Sequence, residues 1–246
     1  GWPEVLPWSR LLQHLPASKH TERGLKTVSK IEHNRPKKMK NIILAGNPNV
    51  GKSVIFNVLT GTYTDVANYP GTTLYVTCSR FGQDIISDTP GIYGLSSFNE
   101  EERIARDIIL QSDIVINVID AVHLDRDLFL TQQIIDTGVP VIVILNMLDE
   151  ARQHGIDIDT NLLEKLLGVP VVPTVAVNNE GFDNLKARLY DARVGKIEPE
   201  LVQLLNKAPA GLSQGEYLLI LEGDAEVAAR CGQHPGNLID EIYNLR

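Results

Sequence analysis

The sequence has few cysteines and no long apolar run. Cys78 and Cys231 are its only cysteines among 246 residues, which excludes a disulfide framework and a paired-cysteine metal site and favours a reducing compartment. No apolar run exceeds five residues, whereas a membrane-spanning helix needs about 18. We therefore predict that this stretch of chain does not cross a bilayer. The apolar content of 43% is ordinary for a packed globular protein.

Charge is unevenly distributed along the chain. Residues 1–40 hold nine lysines and arginines against three acidic residues, and the remainder holds 14 against 28, within a net charge of −8. An acidic body disfavours an extended nucleic-acid surface, so we predict no nucleic-acid partner. Residues 1–39 form a basic arm of unknown role. Contact with RNA, contact with anionic lipid and a merely solvated leader all stay open for it.

From residue 40 onward, short β-branched runs alternate with helical stretches. Strands are predicted at 41–45, 73–81, 84–87, 114–119, 141–145 and 169–173, the last starting after Pro170. Helices are predicted at 52–60, 98–111, 125–136, 159–167 and 180–193. This alternation predicts an α/β domain over residues 40–194, with a mostly parallel six-stranded sheet covered by helices on both faces. The turn at Gly82 predicts a hairpin that adds one antiparallel edge strand.

Residues 195–246 have a different character. Helical patterns cover 198–206, 213–229 and 236–245, and no strand-like alternation interrupts them. We predict a small all-α domain that follows the α/β domain.

A phosphate-binding loop is predicted between the first strand and the first helix. The segment GNPNVGKS fits GxxxxGK[ST] and has the strand before it and the helix after it that this motif requires. Glycines let successive N–H groups point inward, and the helix N-terminus adds positive potential. The residues predicted to bind phosphate are Gly46, Asn47, Pro48, Asn49, Val50, Gly51, Lys52 and Ser53. Lys52 reaches the β- and γ-phosphates, and the Ser53 hydroxyl ligates Mg²⁺.

Two further strand ends carry candidate nucleotide ligands. The sequence DTPG ends the strand 84–87, and a carboxylate there is placed to hold Mg²⁺; its residues are Asp88, Thr89, Pro90 and Gly91. The sequence NMLD follows the strand 141–145. Asp149 can accept hydrogen bonds from guanine N1–H and N2–H₂, which adenine lacks, while Asn146 can connect the base with the phosphate loop. Met147 lies between them.

Two weaker signals complete the set. Val175 and Ala176 follow the strand 169–173, where a backbone N–H can contact guanine O6. Gly71, Thr72 and Thr73 lie between the first helix and the hairpin, where a mobile loop can bring a hydroxyl to Mg²⁺. From the residues alone, the two threonines are not distinguished.

In this order the motifs resemble the five nucleotide motifs of translation-factor-related P-loop GTPases, over residues 40–193. The segments GNPN, NYPGTT, DTPGIYGL, EERIARD, NMLDEARQHG and LGVPVVPT are similar, in particular, to the cytosolic GTPase domain of the ferrous iron transport protein B (FeoB) family. Three features depart from that family. DTPG stands in place of the commoner DLPG, TVA in place of TSA, and a 40-residue arm precedes the phosphate loop.

The resemblance implies a set of roles. Ser53, Thr73 and Asp88 hold Mg²⁺, with Thr73 preferred over Thr72 because it aligns with the family's single threonine. Gly91 senses the γ-phosphate through its N–H, and Asn49 ligates K⁺ where an arginine finger would reach. Ile92 stands at the position of the glutamine that orients water in Ras-like proteins, and it can neither donate nor accept. Residues 62–74 and 91–100 are the implied switches.

The resemblance also implies a function. It is a GTP-binding, GTP-hydrolysing switch that regulates ferrous iron uptake, with GTP or GDP, Mg²⁺ and K⁺ as cofactors. Residues 195–246 would resemble a nucleotide-dissociation inhibitor, and a membrane permease domain would follow, which places the chain at the cytoplasmic face of the bacterial inner membrane. Self-association stays open. The alternatives are an RNA-associated assembly GTPase of the Era type and a GTP-gated binding module with negligible hydrolysis.

Overall fold

The protein is described by a computed structural model covering residues 39–61, 65–68, 75–96 and 99–246. The basic arm up to residue 38 and the predicted ligands Gly71, Thr72 and Thr73 lie outside the described residues. Most of the first predicted switch, 62–74, lies outside them as well.

A seven-stranded sheet forms the centre of the described chain. Its strands are β1 Asn41–Ala45, β2 Asp65–Asn68, β3 Tyr75–Phe81, β4 Asp84–Asp88, β5 Ile114–Asp120, β6 Val141–Asn146 and β7 Val171–Pro173. Their order is β2-β3-β4-β1-β5-β6-β7, and β3 alone runs antiparallel to its neighbours. The predicted mostly parallel α/β sheet is confirmed. Because β1 and β4 to β7 run the same way, their ends meet at one edge of the sheet, here called the carboxyl edge, and their starts meet at the amino edge.

The predicted number of strands and the predicted edge strand were both wrong, because the sheet has one strand more than the six predicted. β2 was not predicted, and it pairs with β3, so β3 is the second strand of the sheet and not its edge. β2 is only four residues long and contains Asp65 and Asn68. Both residue types are depleted in strands, which hid the signal.

Ten α-helices are described. They are α1 Lys52–Thr60, α2 Glu100–Leu110, α3 Leu124–Asp136, α4 Leu148–Gln153, α5 Thr160–Leu167, α6 Phe182–Arg188, α7 Pro199–Leu205, α8 Gln214–Leu221, α9 Ala225–Arg230 and α10 Ile239–Leu245. None of the helices in this described part combines the length and the apolar character that crossing a membrane requires.

Three helix predictions need correction. The predicted helix 180–193 ends at Arg188 and continues as a 3₁₀ turn, Leu189–Asp191. The predicted helix 213–229 is two helices, because Gly223 adopts φ 96° and the Asp224 side chain caps α9. α4 was missed because it is only six residues long.

Apolar side chains fill both faces of the sheet. One core cluster packs α1 and α6 on Ile42, Leu44 and Ile116, and another packs α3 on Val115 and Val143. This second cluster also includes side chains of α8 and α9, namely Leu219, Ile220, Val227 and Ala228. A smaller core joins α7, α8 and α10 through Leu201, Leu205, Leu218 and Ile242. The boundary between residues 194 and 195 stays a prediction.

Two buried ionic clusters tie the C-terminal helices to the sheet domain. Arg106 on α2 has a fully buried side chain and pairs with Asp107, Asp224 and Glu226. Arg246 pairs with Asp136 at the end of α3 and with Glu222, with a separation of 2.7 Å in each case. Burial is the main cause that raises the pKa of Asp136 and of Glu222, and Arg246 opposes it. The cluster around Arg246 therefore places two carboxylates in a region of low polarity.

Candidate functional site

The predicted motifs meet at the carboxyl edge of the sheet. Leu44 on β1 is in register with Asp88 on β4, and Asp120 on β5 is in register with Asn146 on β6. The GNPNVGKS loop follows β1 at the same edge. Ligands of an open parallel sheet bind beyond the carboxyl ends of its strands, so this edge is the expected nucleotide site.

Two glycines of the loop occupy positions that exclude a side chain. Gly46 has φ 154°, and a Cβ there would lie 2.3 Å from the carbonyl oxygen of Val118. Gly51 has φ 94°, and a Cβ there would lie 2.6 Å from Nδ2 of Asn146. α1 begins directly after Gly51 and has no acidic residue in its first turn. Its N-terminal potential is therefore available to an anion.

The Lys52 ammonium lies inside the curled loop. Its Nζ donates to the carbonyl oxygens of Gly46 at 3.1 Å and Asn47 at 2.9 Å, and the residue is only 7% exposed. Burial lowers the pKa of Lys52, and the charges of Asp88 and Asp127 oppose that shift. A phosphate in the loop would supply the negative charge that stabilises this buried cation.

Ser53 and Asp88, the predicted Mg²⁺ ligands, contact each other. The Ser53 hydroxyl donates to Oδ2 of Asp88 at 2.6 Å. Among the described residues, Oδ1 of Asp88 is buried and has no hydrogen-bond partner. Burial is the largest cause that raises the pKa of Asp88, whereas the Ser53 hydrogen bond and the Lys52 charge lower it. An unpartnered carboxylate oxygen beside a hydroxyl is an all-oxygen donor set, which fits Mg²⁺.

The residues that follow Asp88 differ in their surroundings. Thr89 is buried, and both its N–H and its hydroxyl donate to the carbonyl oxygen of Leu44, so its side chain faces the sheet and not the site. Gly91 approaches the phosphate loop so closely that a Cβ would lie 2.8 Å from Cα of Pro48. The Ile92 side chain is fully buried. It therefore lies in the core and is unavailable to a reacting water molecule. Pro90 is half-buried between them.

Asn146 connects the phosphate loop with the segment that follows β7. Its Nδ2 donates to the carbonyl oxygen of Val50 at 3.0 Å. Its Oδ1 accepts from the Thr174 hydroxyl at 3.1 Å and from the N–H of Ala176 at 3.0 Å. The link to the phosphate loop thus has the predicted form. The Ala176 N–H, predicted to contact guanine O6, donates to Asn146 in this structure.

A narrow cleft lies beside Asn146. It measures about 80 Å³ and is lined by Gly51, Val54, Asn146, Met147, Asp149, Glu150, Val175, Ala176 and Val177. Met147 adopts φ 62° before α4. The half-buried Asp149 lies in the first turn of α4. An apolar slot with a carboxylate at its end suits a flat base that carries hydrogen-bond donors.

The two asparagines of GNPN differ in their surroundings. Asn47 is 1% exposed, and its Nδ2 donates to Oδ1 of Asp127 at 2.6 Å. Its own Oδ1 is buried with no partner in the described part of the chain. Asn49 is exposed and adopts φ 67°. The Asn47 side chain is thus bound to α3, which leaves the prediction that its backbone belongs to the phosphate loop untested, whereas Asn49 is open to solvent.

Two residues of α3 that contact the site were missed from the sequence. Asp127 accepts from Asn47, from the backbone N–H of Asp120 and from Arg126. Gln133 is fully buried, and its Oε1 accepts from the N–H of Leu95 in the second predicted switch at 3.0 Å. The sequence carries one weak signal for them, because both are polar residues within a helix that packs on the core.

Comparison with known proteins identifies relatives of this arrangement. The family model described as ferrous iron transport protein B matches residues 40–189. The Fe(2+) transporter FeoB of Legionella pneumophila (strain Paris) is 40% identical over 195 residues, which are 75% of this chain and 26% of the relative. The chain thus spans about a quarter of that curated relative's length.

Solved structures agree with this match. The cytosolic domain of L. pneumophila FeoB aligns with a TM-score of 0.69 at 34% identity, over 78% of this chain and 85% of that one. A mutant of S. thermophilus NFeoB bound to GDP aligns with a TM-score of 0.70 at 33% identity, over 78% of this chain and 83% of that one.

Proposed function

The chain belongs to the ferrous iron transport protein B family, and from this premise we propose that it is a guanine-nucleotide switch that binds GTP with Mg²⁺ and hydrolyses it to GDP and phosphate. One observation carries the proposal. At a single edge of the sheet, Asn146 joins the phosphate loop to the base cleft through its two hydrogen-bonding atoms. A relative of this chain has been solved with GDP, which supports the same ligand class here.

The residues have distinct roles in this proposal. The loop amides and Lys52 bind the phosphates, and Asp149 accepts from the guanine N1–H and N2–H₂ groups. Ser53 and Asp88 hold Mg²⁺, together with Thr73. Mg²⁺ held by these residues would offset the negative charge that develops on the phosphate oxygens. Gly91 closely approaches Pro48 of the phosphate loop, which supports a role for its N–H in sensing the γ-phosphate.

Hydrolysis needs an oriented water molecule and charge compensation, and in the described site no glutamine is placed for the first and no arginine for the second. Ile92 is buried, and Arg126 is bound to Asp127. The exposed Asn49 carboxamide is available as an oxygen ligand for K⁺ beside the phosphates. A purely binding module with negligible hydrolysis is the second candidate, and the buried position of Ile92 favours it.

The function of the longer protein is part of the proposal. We infer that this chain regulates ferrous iron uptake at the cytoplasmic face of the bacterial inner membrane, through a membrane permease domain that follows it. The relative's name, Fe(2+) transporter, supports this. Residues 195–246 are proposed to act on nucleotide release, since α9 binds to α2 directly after the second switch.

Replacement of Lys52 tests nucleotide binding. Lys52→Ala removes a buried cation from the loop and is expected to weaken GDP and GTP binding by about 100-fold or more, because two charge-assisted hydrogen bonds to phosphate are lost. Titration with a fluorescent guanine nucleotide measures this. Lys186→Ala, an exposed lysine on α6, is the control and should bind normally. Unchanged affinity in Lys52→Ala would refute the phosphate-loop assignment.

Monovalent cations test the hydrolysis step. GTP turnover is expected to be faster in KCl than in NaCl at equal ionic strength, by a factor no larger than the roughly 10³–10⁵ of an arginine finger. Asn49→Ala should abolish the difference and leave GDP affinity nearly unchanged. Equal and very slow turnover in both salts would instead support the binding module.

A further inference from the structure

A mixed basic and apolar surface surrounds α5. It is named here the α5 patch and consists of Leu162, Lys165, Leu166, Arg193 and Lys196. α5 leads into the start of β7, whereas the end of β7 reaches Thr174 beside Asn146. The end of α5 therefore lies at the amino edge of the sheet, opposite the nucleotide site.

The basic part of the patch is a concentration of charge within an acidic body. A cleft of about 530 Å³ is lined by Lys165, Arg188, Arg193 and Lys196, with Glu164 as its only carboxylate. Arg188 pairs with Glu164 at 2.8 Å, and Arg193 lies 3.7 Å from the same carboxylate. The patch itself holds three of the 14 lysines and arginines in residues 41–246, which also hold 28 acidic residues. Such segregation creates a local positive potential on a molecule whose net charge is negative.

The cations are held in place at the end of α5. The Arg193 Nε donates to the carbonyl oxygen of Gly168 at 2.8 Å, and the Lys196 Nζ donates to that of Lys165 at 2.6 Å. Helix capping accounts for these two bonds. A guanidinium has five donors and an ammonium has three, so both groups keep donors for a ligand.

The apolar part of the patch lies on α5 itself. Leu163 and Leu167 face the core, whereas Leu162 and Leu166 are 50% and 62% exposed. The exposed pair is four residues apart and therefore shares one helix face. Lys165 lies between them in sequence. Leucines exposed next to cations are the composition of a helix that lies in a membrane interface.

The end of the described chain lies close to this surface. Arg246 donates to Asp136, Gln132 donates to the other oxygen of Asp136 at 2.9 Å, and the same amide nitrogen donates to the carbonyl oxygen of Lys196 at 3.1 Å. Two side chains thus connect Arg246 with Lys196. Under the proposed function, the chain leads from here to the membrane.

We propose that the α5 patch docks on the surface of an anionic lipid bilayer. Lys165, Arg193 and Lys196 contact lipid phosphates, and Leu162 and Leu166 enter the headgroup region. This orientation keeps the carboxyl edge, with its nucleotide site, facing away from the membrane. The inference rests on the proposed function only in placing a membrane near Arg246. The lipid contact itself needs no nucleotide.

Vesicle sedimentation with the whole chain tests the proposal. Binding is expected to vesicles that contain phosphatidylglycerol and to be much weaker with phosphatidylcholine alone. Each cation near an anionic surface contributes about a fivefold change in partitioning, so Lys165→Glu with Lys196→Glu should reduce binding by at least 25-fold. The control pair, Lys186→Glu with Lys207→Glu, makes the same change in net charge outside the cleft and should reduce it far less. Leu162→Ser with Leu166→Ser should also weaken binding.

The basic arm is present in every variant and could itself bind vesicles. Hydrogen exchange is therefore needed to locate the contact with the membrane. Anionic vesicles should protect amides of residues 160–168 and 193–196. Protection confined to residues 1–38, or no protection, would overturn the proposal. Equal protection by inorganic phosphate would show a small-anion site instead, and a lipid-free dimer with a protected α5 would show contact between copies.

GDP titration of the same variants separates the two proposals. The patch variants should bind GDP normally, since the patch lies opposite the nucleotide site. A chain that binds vesicles as expected but binds no guanine nucleotide would refute the proposed function and leave the membrane contact in place.

Discussion

Several side chains of the site already form hydrogen bonds within the protein. A bound nucleotide and Mg²⁺ would have to replace some of these bonds. Lys52 donates to two loop carbonyls, and Ser53 donates to Asp88. Both interactions hold groups near the positions that phosphate and Mg²⁺ would require. Asn146 is different, because its contacts join two segments of the protein and need not be broken for a base to enter the cleft.

In the proposed function, base recognition depends on one residue, Asp149. Asp149→Asn turns a double acceptor into a group with a donor, so GTP binding should weaken by about 100-fold or more, and xanthosine triphosphate should become the preferred ligand. Competition binding of the two nucleotides measures the preference. Glu150→Gln, in the same cleft, is the matched control and should keep the preference for GTP. An Asp149→Asn variant that still prefers GTP would contradict the assigned role.

At the scale of single residues, the sequence predicted which residues gather at the carboxyl edge and the link from Asn146 to the phosphate loop, but not most of the other contacts. GxxxxGK[ST], DxxG and NxxD predicted the loop, the strand ends and their common edge, because each motif is bounded by elements with a clear periodicity. The Asn47 side chain, for example, is bound to Asp127, 80 residues further along the chain. Such contacts depend on how α3 packs, which periodicity does not encode.

Whole elements were predicted wherever an apolar pattern was long enough. β1, β5, β6, α1 and α3 agree with the sequence within a residue or so at each end, since each buries a continuous apolar stripe. β2 and α4 were missed because four and six residues give too little pattern. The contact between α2 and α9 was not predicted either, since it depends on polar side chains.

The contact between α2 and α9 depends on Arg106. Arg106→Ala leaves Asp224 without its buried counter-charge, while Asp107 keeps Arg230 at 3.1 Å. It should destabilise the protein by about 3 kcal/mol, which lowers Tm by roughly 6–12 °C. Thermal unfolding measures this loss. Arg103→Ala is the control, because Arg103 and Glu226 form an exposed pair at 3.7 Å with side chains about half exposed, and it should cost below about 1 kcal/mol. Equal losses would show that burial of Arg106 is unimportant.

On the scale of the whole molecule, the second of the two buried ionic clusters, around Arg246, joins the C-terminal helices to the sheet domain. Asp136 from α3 and Glu222 after α8 share the single guanidinium of Arg246. Two carboxylates with one counter-charge leave an excess of buried negative charge. Folding therefore favours the protonated acid, which agrees with the raised pKa of both groups.

This cluster predicts how stability depends on pH. A carboxyl whose pKa is raised by folding binds its proton more tightly in the native state, so its stabilisation is present below the unfolded pKa and is lost as pH rises through the folded pKa. Glu222→Gln should remove this loss and make the protein more stable than the unmodified chain at neutral pH. Urea unfolding between acidic and neutral pH measures the trend. Glu241→Gln, on the exposed side of α10, should leave it unchanged. A less stable Glu222→Gln at neutral pH would contradict the prediction.

Thr89 is a residue of the DTPG motif that packs in the interior and does not face the candidate site. Its hydroxyl and its N–H both donate to the carbonyl oxygen of Leu44. The hydrogen bond from the N–H does not depend on which side chain this position carries. Family members commonly carry leucine there, and an apolar side chain would fill the same buried space. The second residue of the motif can therefore differ between relatives according to how the interior packs around it. The proposed nucleotide contacts use the first and fourth residues of the motif, a carboxylate and a residue without a side chain.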